Sequence, residues 1–168
     1  MQPGQIVIRT GTVAVLSVIL WRFVIYLDGI VSGNEYDRTV HFLMAFLMAS
    51  LSYLMIRIAL GTDKISWRQI GSQGLRTDAI SFFTGVAIWT VPALLGLLLL
   101  RVTGRAEITL ATGTGNFMLS AGMLFATVFL MEAFPEEIIV RGYIYSHLNL
   151  KLSRWQAVIV QAVIFSVF

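Results

Sequence analysis

The chain has 168 residues, of which 57% are hydrophobic and only 12% charged, with a net charge of +3. A soluble domain carries about 25% charged residues, so this balance and a mean hydropathy of +0.81 exclude an ordinary soluble domain and point to an all-α, polytopic transmembrane bundle in one domain. No cysteine and two histidines, His41 and His147, exclude disulfides, thiolate metal sites, a cysteine nucleophile and a self-contained histidine cage.

About 20 apolar residues cross a bilayer core of ~30 Å. By that measure the first span runs from Ile6 to Leu27, with Arg22 near its end. It is too long for a signal peptide, lacks a clear small-residue cleavage site and is followed by further spans. The second runs from His41 to Leu60 and the third from Ile80 to Leu100, where Pro92 is tolerable if neighbours satisfy the freed carbonyl. The fourth starts near Phe117 and continues, kinked by Pro135, to Leu148. A fifth starts near Ser153 and is incomplete: Trp155 to Phe168 reaches about 21 Å, short of the core. That shortfall gives four full spans plus an incomplete fifth, and the expectation that 1–168 is the N-terminal part of a longer domain, with 117–168 as its motif-bearing region.

The connections are short. Asp28–Val40 and Gly61–Ala79 read as polar loops, the second mixing Lys64, Arg68 and Arg76 with Ile65, Trp67 and Ile70, as suits the headgroup region. Gly113 to Asn116 reads as a turn rather than a phosphate loop, because no strand precedes it. The basic residues favour a cytoplasmic N-terminus: Arg9, Arg57, Lys64, Arg68, Arg76, Lys151 and Arg154 then lie inside, and Arg22, Arg38, Arg101 and Arg105 outside. The positive charge records this topology, and no nucleic-acid partner is expected. The small-residue pairs Ala45/Ala49 and Gly122/Ala126 are candidates for close helix packing.

The informative stretch is Glu136-Glu137-Ile-Ile-Val-Arg141. A charge inside a spanning helix costs roughly 2.5–3.5 kcal/mol on insertion scales and usually faces protein or a wet cavity. Glu137 and Arg141, four apart, share one helix face and pair strongly in low dielectric. Glu136 points about 100° away, with Glu132 at i−4 and Tyr143 at i+7 on its own face. One carboxylate is thus neutralised and the other left free, which suits a general base acting on water. Pro135 removes a donor to the Met131 carbonyl and opens room for that water. Counted back along an antiparallel hairpin of the last two spans, Glu136 lies level with Phe165. The competing reading makes Glu137–Arg141 a structural ion pair and lets Glu136 snorkel to the interface. Glu132 reads as a solvated or cavity-lining acid, and His41 and His147 as interfacial residues. Trp67, Trp155 and the tyrosines read as interface anchors.

Glu136-Glu137-Ile-Ile-Val-Arg141-Gly142 resembles the Glu-Glu-x-x-x-Arg-Gly motif of the CPBP intramembrane proteases, which include the type II CAAX prenyl proteases and the bacteriocin-processing (Abi) proteins. Phe165-Ser-Val-Phe168 is similar to the first four positions of their Phe-x-x-x-His motif, whose histidine would be the next residue. Ser66-Trp67-Arg68-Gln-Ile70-Gly71 is similar too. Val140 departs from the aromatic residue common there, and the motif histidine and a later His and Asn motif are absent from this sequence.

The resemblance implies a helical bundle in a prokaryotic cytoplasmic membrane, with a site opening toward the cytoplasm and peptide or prenylated-protein substrates. It implies that Glu136 activates water, that Glu137 and Arg141 orient the site, and that Phe165 belongs to its second motif; Tyr143 and Glu132, on the helical face of Glu136, are the further candidate supporting residues. Metallo- and glutamic mechanisms both stay open, with zinc as a candidate cofactor and Glu136 as a candidate ligand. Alternatives are a catalytically inactive relative acting as an immunity or scaffold protein, and a transporter or channel using Glu136 and Glu137 as an ion site.

Overall fold

The computed structural model describes residues 3–33, 37–71, 74–105, 107 and 114–166. Among these every regular element is helical. Helix α1 is Pro3–Ser32, α2 is Arg38–Asp63, α3 is Leu75–Val102 and α4 is Thr114–Val128. Beyond Val128 the fourth helix continues unbroken through Phe129–Ala133, Phe134–Glu136 and Glu137–Ile144 to Tyr145–Asn149. Helix α5 is Arg154–Phe165. Four helices among the described residues are long and apolar enough to cross a membrane: Ile8–Ser32, Arg38–Asp63, Trp67–Val102 and Asn116–Asn149. The protein is an integral membrane protein of helical architecture.

The helices outrun the apolar stretches that announce them, because their ends are capped by polar residues. The loop expected over Asp28–Val40 shrinks: α1 reaches Ser32 and α2 begins at Arg38. Asp37 caps α2, its carboxylate accepting from the amides of Thr39 at 2.7 Å and Val40 at 3.4 Å. At the other end Lys64 takes the left-handed conformation with φ 55°, its amide donating to Gly61 and that of Ile65 to Leu60. This stop makes Asp63 the last residue of α2 and sends the chain into a 3-10 turn, Trp67–Ile70. Of the expected Gly113–Asn116 turn, Gly113 lies outside the described residues and Thr114 already opens α4.

The chain divides into two compact units, Met1–Gly71 with Gly122–Phe168, and Ser72–Ala121. In the first, α1 and α2 pack as a pair and the far half of the fourth helix lies against both. On α1 the residues Thr10, Val13, Ser17 and Val24 are buried, and on α2 Ala45, Met48, Ala49, Ser52, Ile56 and Leu60. Steps of three, four and seven place these on one stripe per helix. Half of these, Thr10, Ser17, Ala45, Ala49 and Ser52, are small, as suits the close approach of membrane helices. Ala45 and Ala49 are buried as their spacing suggests, but Gly122 is exposed and an added Cβ there meets nothing. One apolar cluster joins Val24, Ala45, Met48 and Met131; a second joins Val13, Ile56, Leu60, Ile139, Val140, Tyr143 and Ile144. In the second unit α3 carries Pro92 within an unbroken helix that is apolar all round.

Candidate active site

The motif lies on a helix that is not uniformly α. Phe129–Ala133 and Glu137–Ile144 are π-helical, separated by the single turn Phe134–Glu136. The cause of the first widening is Pro135. It has no amide to donate, and its ring would crowd the carbonyl four residues back. The wider turn admits the ring, and the Phe134 amide bonds to Phe129 five residues behind. In the second, the β-branched Ile138, Ile139 and Val140 crowd an ordinary α turn, and Gly142 leaves room for close approach. A Cβ at Gly142 would sit 3.3 Å from the Glu137 carbonyl oxygen and 3.6 Å from that of Ile70. The motif glycine is therefore where the 3-10 turn rests on the motif helix, with Trp67 of that turn stacked on Tyr53 at 5.3 Å between centroids.

Glu137 and Arg141 form the expected pair, Nη1 to Oε2 at 3.1 Å, but their side chains are 62% and 72% exposed. The protein itself does not cover the pair. Glu136 is half-buried and makes no hydrogen bond or ion pair among the described residues. Its charged neighbours are Glu132, Arg141 and Glu137, and Glu132 is exposed. The short turn that carries Glu136 packs against α2, whereas α5 packs on the following π segment. The helix packed on the Glu136 turn is therefore α2. Phe165 lies exposed in the last turn of α5, and Val167 and Phe168 of the half-motif lie outside the described residues.

Tyr143 does not share a face with Glu136. Seven residues of α-helix would align them, but the intervening π turns rotate the register, and Tyr143 turns into the core, 1% exposed. Its hydroxyl donates to Oδ2 of Asp63 at 2.6 Å. His147 is likewise covered by protein, rather than exposed. It is fully buried, with Nδ1 2.8 Å from the Tyr143 carbonyl oxygen and Nε2 3.1 Å from Oδ2 of Asp63. Arg9 of α1 completes the cluster through Nη1, which pairs with Oδ1 of Asp63 and contacts the Thr62 carbonyl oxygen. One buried carboxylate thus ties α1, α2 and the motif helix together. His41 is partnered too, Nδ1 lying 2.7 Å from Oδ2 of Asp28.

Sequence reasoning missed Asp63 and Arg9. A signal was available. Arg9 is near the start of the first span and Asp63 just past the end of the second, and an antiparallel pair brings those ends together.

A zinc site needs three or four nitrogen, oxygen or sulfur ligands around one point. Among the described residues no three of His, Cys, Asp and Glu gather in that way. Asp63 and His147 do meet, but Arg9 on the same carboxylate disfavours a cation there. The described residues do not form a metal cage.

The family described as "Type II CAAX prenyl endopeptidase Rce1-like" matches residues 118–168. Over that segment the chain is similar to the CAAX prenyl protease (CPBP) family, which supports the resemblance carried by its glutamate motif. No curated protein and no solved structure matches the chain. The family is one of intramembrane proteases acting on peptide or protein substrates in a membrane environment. The matched residues include the glutamate motif, the second π segment, the Tyr143–His147 pair and α5, while Arg9 and Asp63, which hold the motif helix, lie outside the match.

Proposed function

We propose that this protein hydrolyses peptide bonds of membrane-associated substrates, of the CAAX-processing or leader-processing kind, with Glu136 as the base that activates water. The observation that carries this reading is the unequal state of the two motif acids. Glu137 is held by Arg141 at 3.1 Å, whereas Glu136 has no bonded partner among the described residues and is half-buried on a proline-bounded turn. A carboxylate left free at such a place has its lone pairs available for a water proton.

The step balances simply. Glu136 takes a proton from water as the oxygen attacks the scissile carbonyl carbon. The carbon–nitrogen bond then breaks, and the proton passes to the departing amine. The Glu137–Arg141 pair fixes the charge beside Glu136 and orients it. The described histidines are committed to Asp28 and Asp63, so neither is assigned a part in this step. A cytoplasmic N-terminus, which the basic residues favour, puts the Arg9–Asp63 end on the cytoplasmic side.

The test is cleavage of a fluorogenic prenylated peptide by the protein in liposomes, with and without chelator. Glu136→Gln should lower the rate by at least 10²-fold, within the range for losing a positioned base, with folding unchanged. Full cleavage by that variant would remove Glu136 from the chemistry. A wild-type protein without cleavage, whose biological effect survives Glu136→Gln, would favour the immunity or scaffold reading. Ion flux dependent on Glu136 and Glu137 without cleavage would favour a transporter.

A further inference from the structure

Between α1 and α2 runs an apolar groove of about 610 Å³. Its walls include Leu16, Ile19 and Phe23 of α1 and Leu54 and Ile58 of α2, all substantially exposed. One end alone is polar, where Arg9, Thr62 and Asp63 line it. From Arg9 to Phe23 the groove follows fourteen helical steps, about 21 Å at 1.5 Å each. A bilayer half-core is about 15 Å deep. The groove therefore accommodates one leaflet's hydrocarbon chain along its length.

The polar end is selective in what it offers. Asp63 is 1% exposed in its side chain and is occupied by Arg9, Tyr143 and His147, so it offers little to an outside group. The Thr62 and Thr12 hydroxyls both donate to carbonyls of their own helices, at 2.9 Å. Arg9 is different. Its side chain is 35% exposed and its contacts among the described residues run through Nη1, which leaves Nε and Nη2 with protons to donate. A guanidinium with free donors at the mouth of an apolar groove suits an oxyanion carried on a hydrocarbon chain, and phosphate matches its fork best.

We propose that this groove is a binding site for an anionic bilayer phospholipid, one acyl chain lying between α1 and α2 and the phosphate resting on Arg9. The site is separate from Glu136 and requires no catalysis. Through Arg9 and Asp63 the lipid would brace the two helices that hold the motif helix.

The experiment uses the detergent-purified chain titrated with phosphatidylglycerol, read by native mass spectrometry and thermal unfolding. One phosphatidylglycerol should be retained per chain, and Tm should rise by at least about 4 °C at saturation. Leu54→Trp combined with Ile58→Phe fills the groove without touching the polar cluster. It should abolish both the retention and the rise while leaving the lipid-free Tm near wild type. Arg9→Lys, which keeps the charge but loses the fork, should weaken retention by about tenfold. Photoactivatable phosphatidylglycerol should label the segment around Leu16 to Phe23. Equal retention by the filled variant would overturn the proposal, and so would an equal response to diacylglycerol or to a free fatty acid. Labelling spread evenly over all helices, or a dimer cross-linked through Leu54 in place of lipid, would do the same.

Discussion

The carboxylates of Asp63 and Glu137 each meet an arginine, yet their situations are opposite. Asp63 is covered, receives Arg9, Tyr143 and His147, and joins three helices whose contacts lie 54, 80 and 84 residues apart in the chain. Glu137 is open and, among the described residues, pairs with one a single turn along its own helix. A covered charge stays charged inside protein only when several partners replace its water, and removing one partner exposes the full desolvation cost. An open pair that reaches water keeps much of its solvation and contributes little to stability. The contrast separates two duties on one helix: the cluster at Tyr143 and His147 holds the helix in place, and the motif at Glu136–Arg141 is left available.

The contrast is most open to attack at Asp63. Asp63→Ala strands Arg9 and the buried faces of Tyr143 and His147, and should cost about 3–5 kcal/mol, seen as a large drop in Tm in detergent. A small drop would mean that water or lipid already satisfies the cluster. Tyr143→Phe keeps the ring and removes one bond to the carboxylate, so about 1–3 kcal/mol is expected. Gly142→Ala places a methyl 3.3 Å from the Glu137 carbonyl oxygen and 3.6 Å from that of Ile70. Either the wide turn tightens or the 3-10 turn shifts away, at about 1–2 kcal/mol, and a measurable loss of cleavage should accompany the change if Glu136 is the base.

The sequence disclosed most of the architecture, because apolar length and composition report directly on spanning helices. The four long helices fall where the hydropathy puts them, and only their ends differ, since caps such as Asp37 and Lys64 extend them beyond the apolar runs. The Glu137–Arg141 pair was equally legible, being a contact four residues apart. Two things were not. The first is register: a step of 100° per residue holds only in an α-helix, and the π segments around Pro135 break it, which is why Tyr143 and Glu136 part company. The second is long-range pairing. His147 looks like a residue near a turn until Asp63 arrives from the end of α2.

The smallest stability effect bears hardest on the division of duties. Glu137→Gln removes an exposed pair, and by analogy with surface i,i+4 pairs it should change unfolding by no more than about 0.5 kcal/mol. Cleavage should nevertheless fall, because the neutral amide no longer fixes Arg141 and the guanidinium becomes free to take Glu136, the adjacent acid it already influences. A base tied to an arginine has its lone pairs engaged and draws a proton from water less readily. Arg141→Gln run in parallel removes the guanidinium and leaves Glu136 without that competitor. Rates that fall more in Glu137→Gln than in Arg141→Gln would locate the effect in this exchange of partners, while Tm values that stay together would show that neither residue holds up the fold. If instead Glu137→Gln lowered Tm as far as Tyr143→Phe does, the motif pair would share the structural duty of Asp63 and the distinction between the two regions would fail.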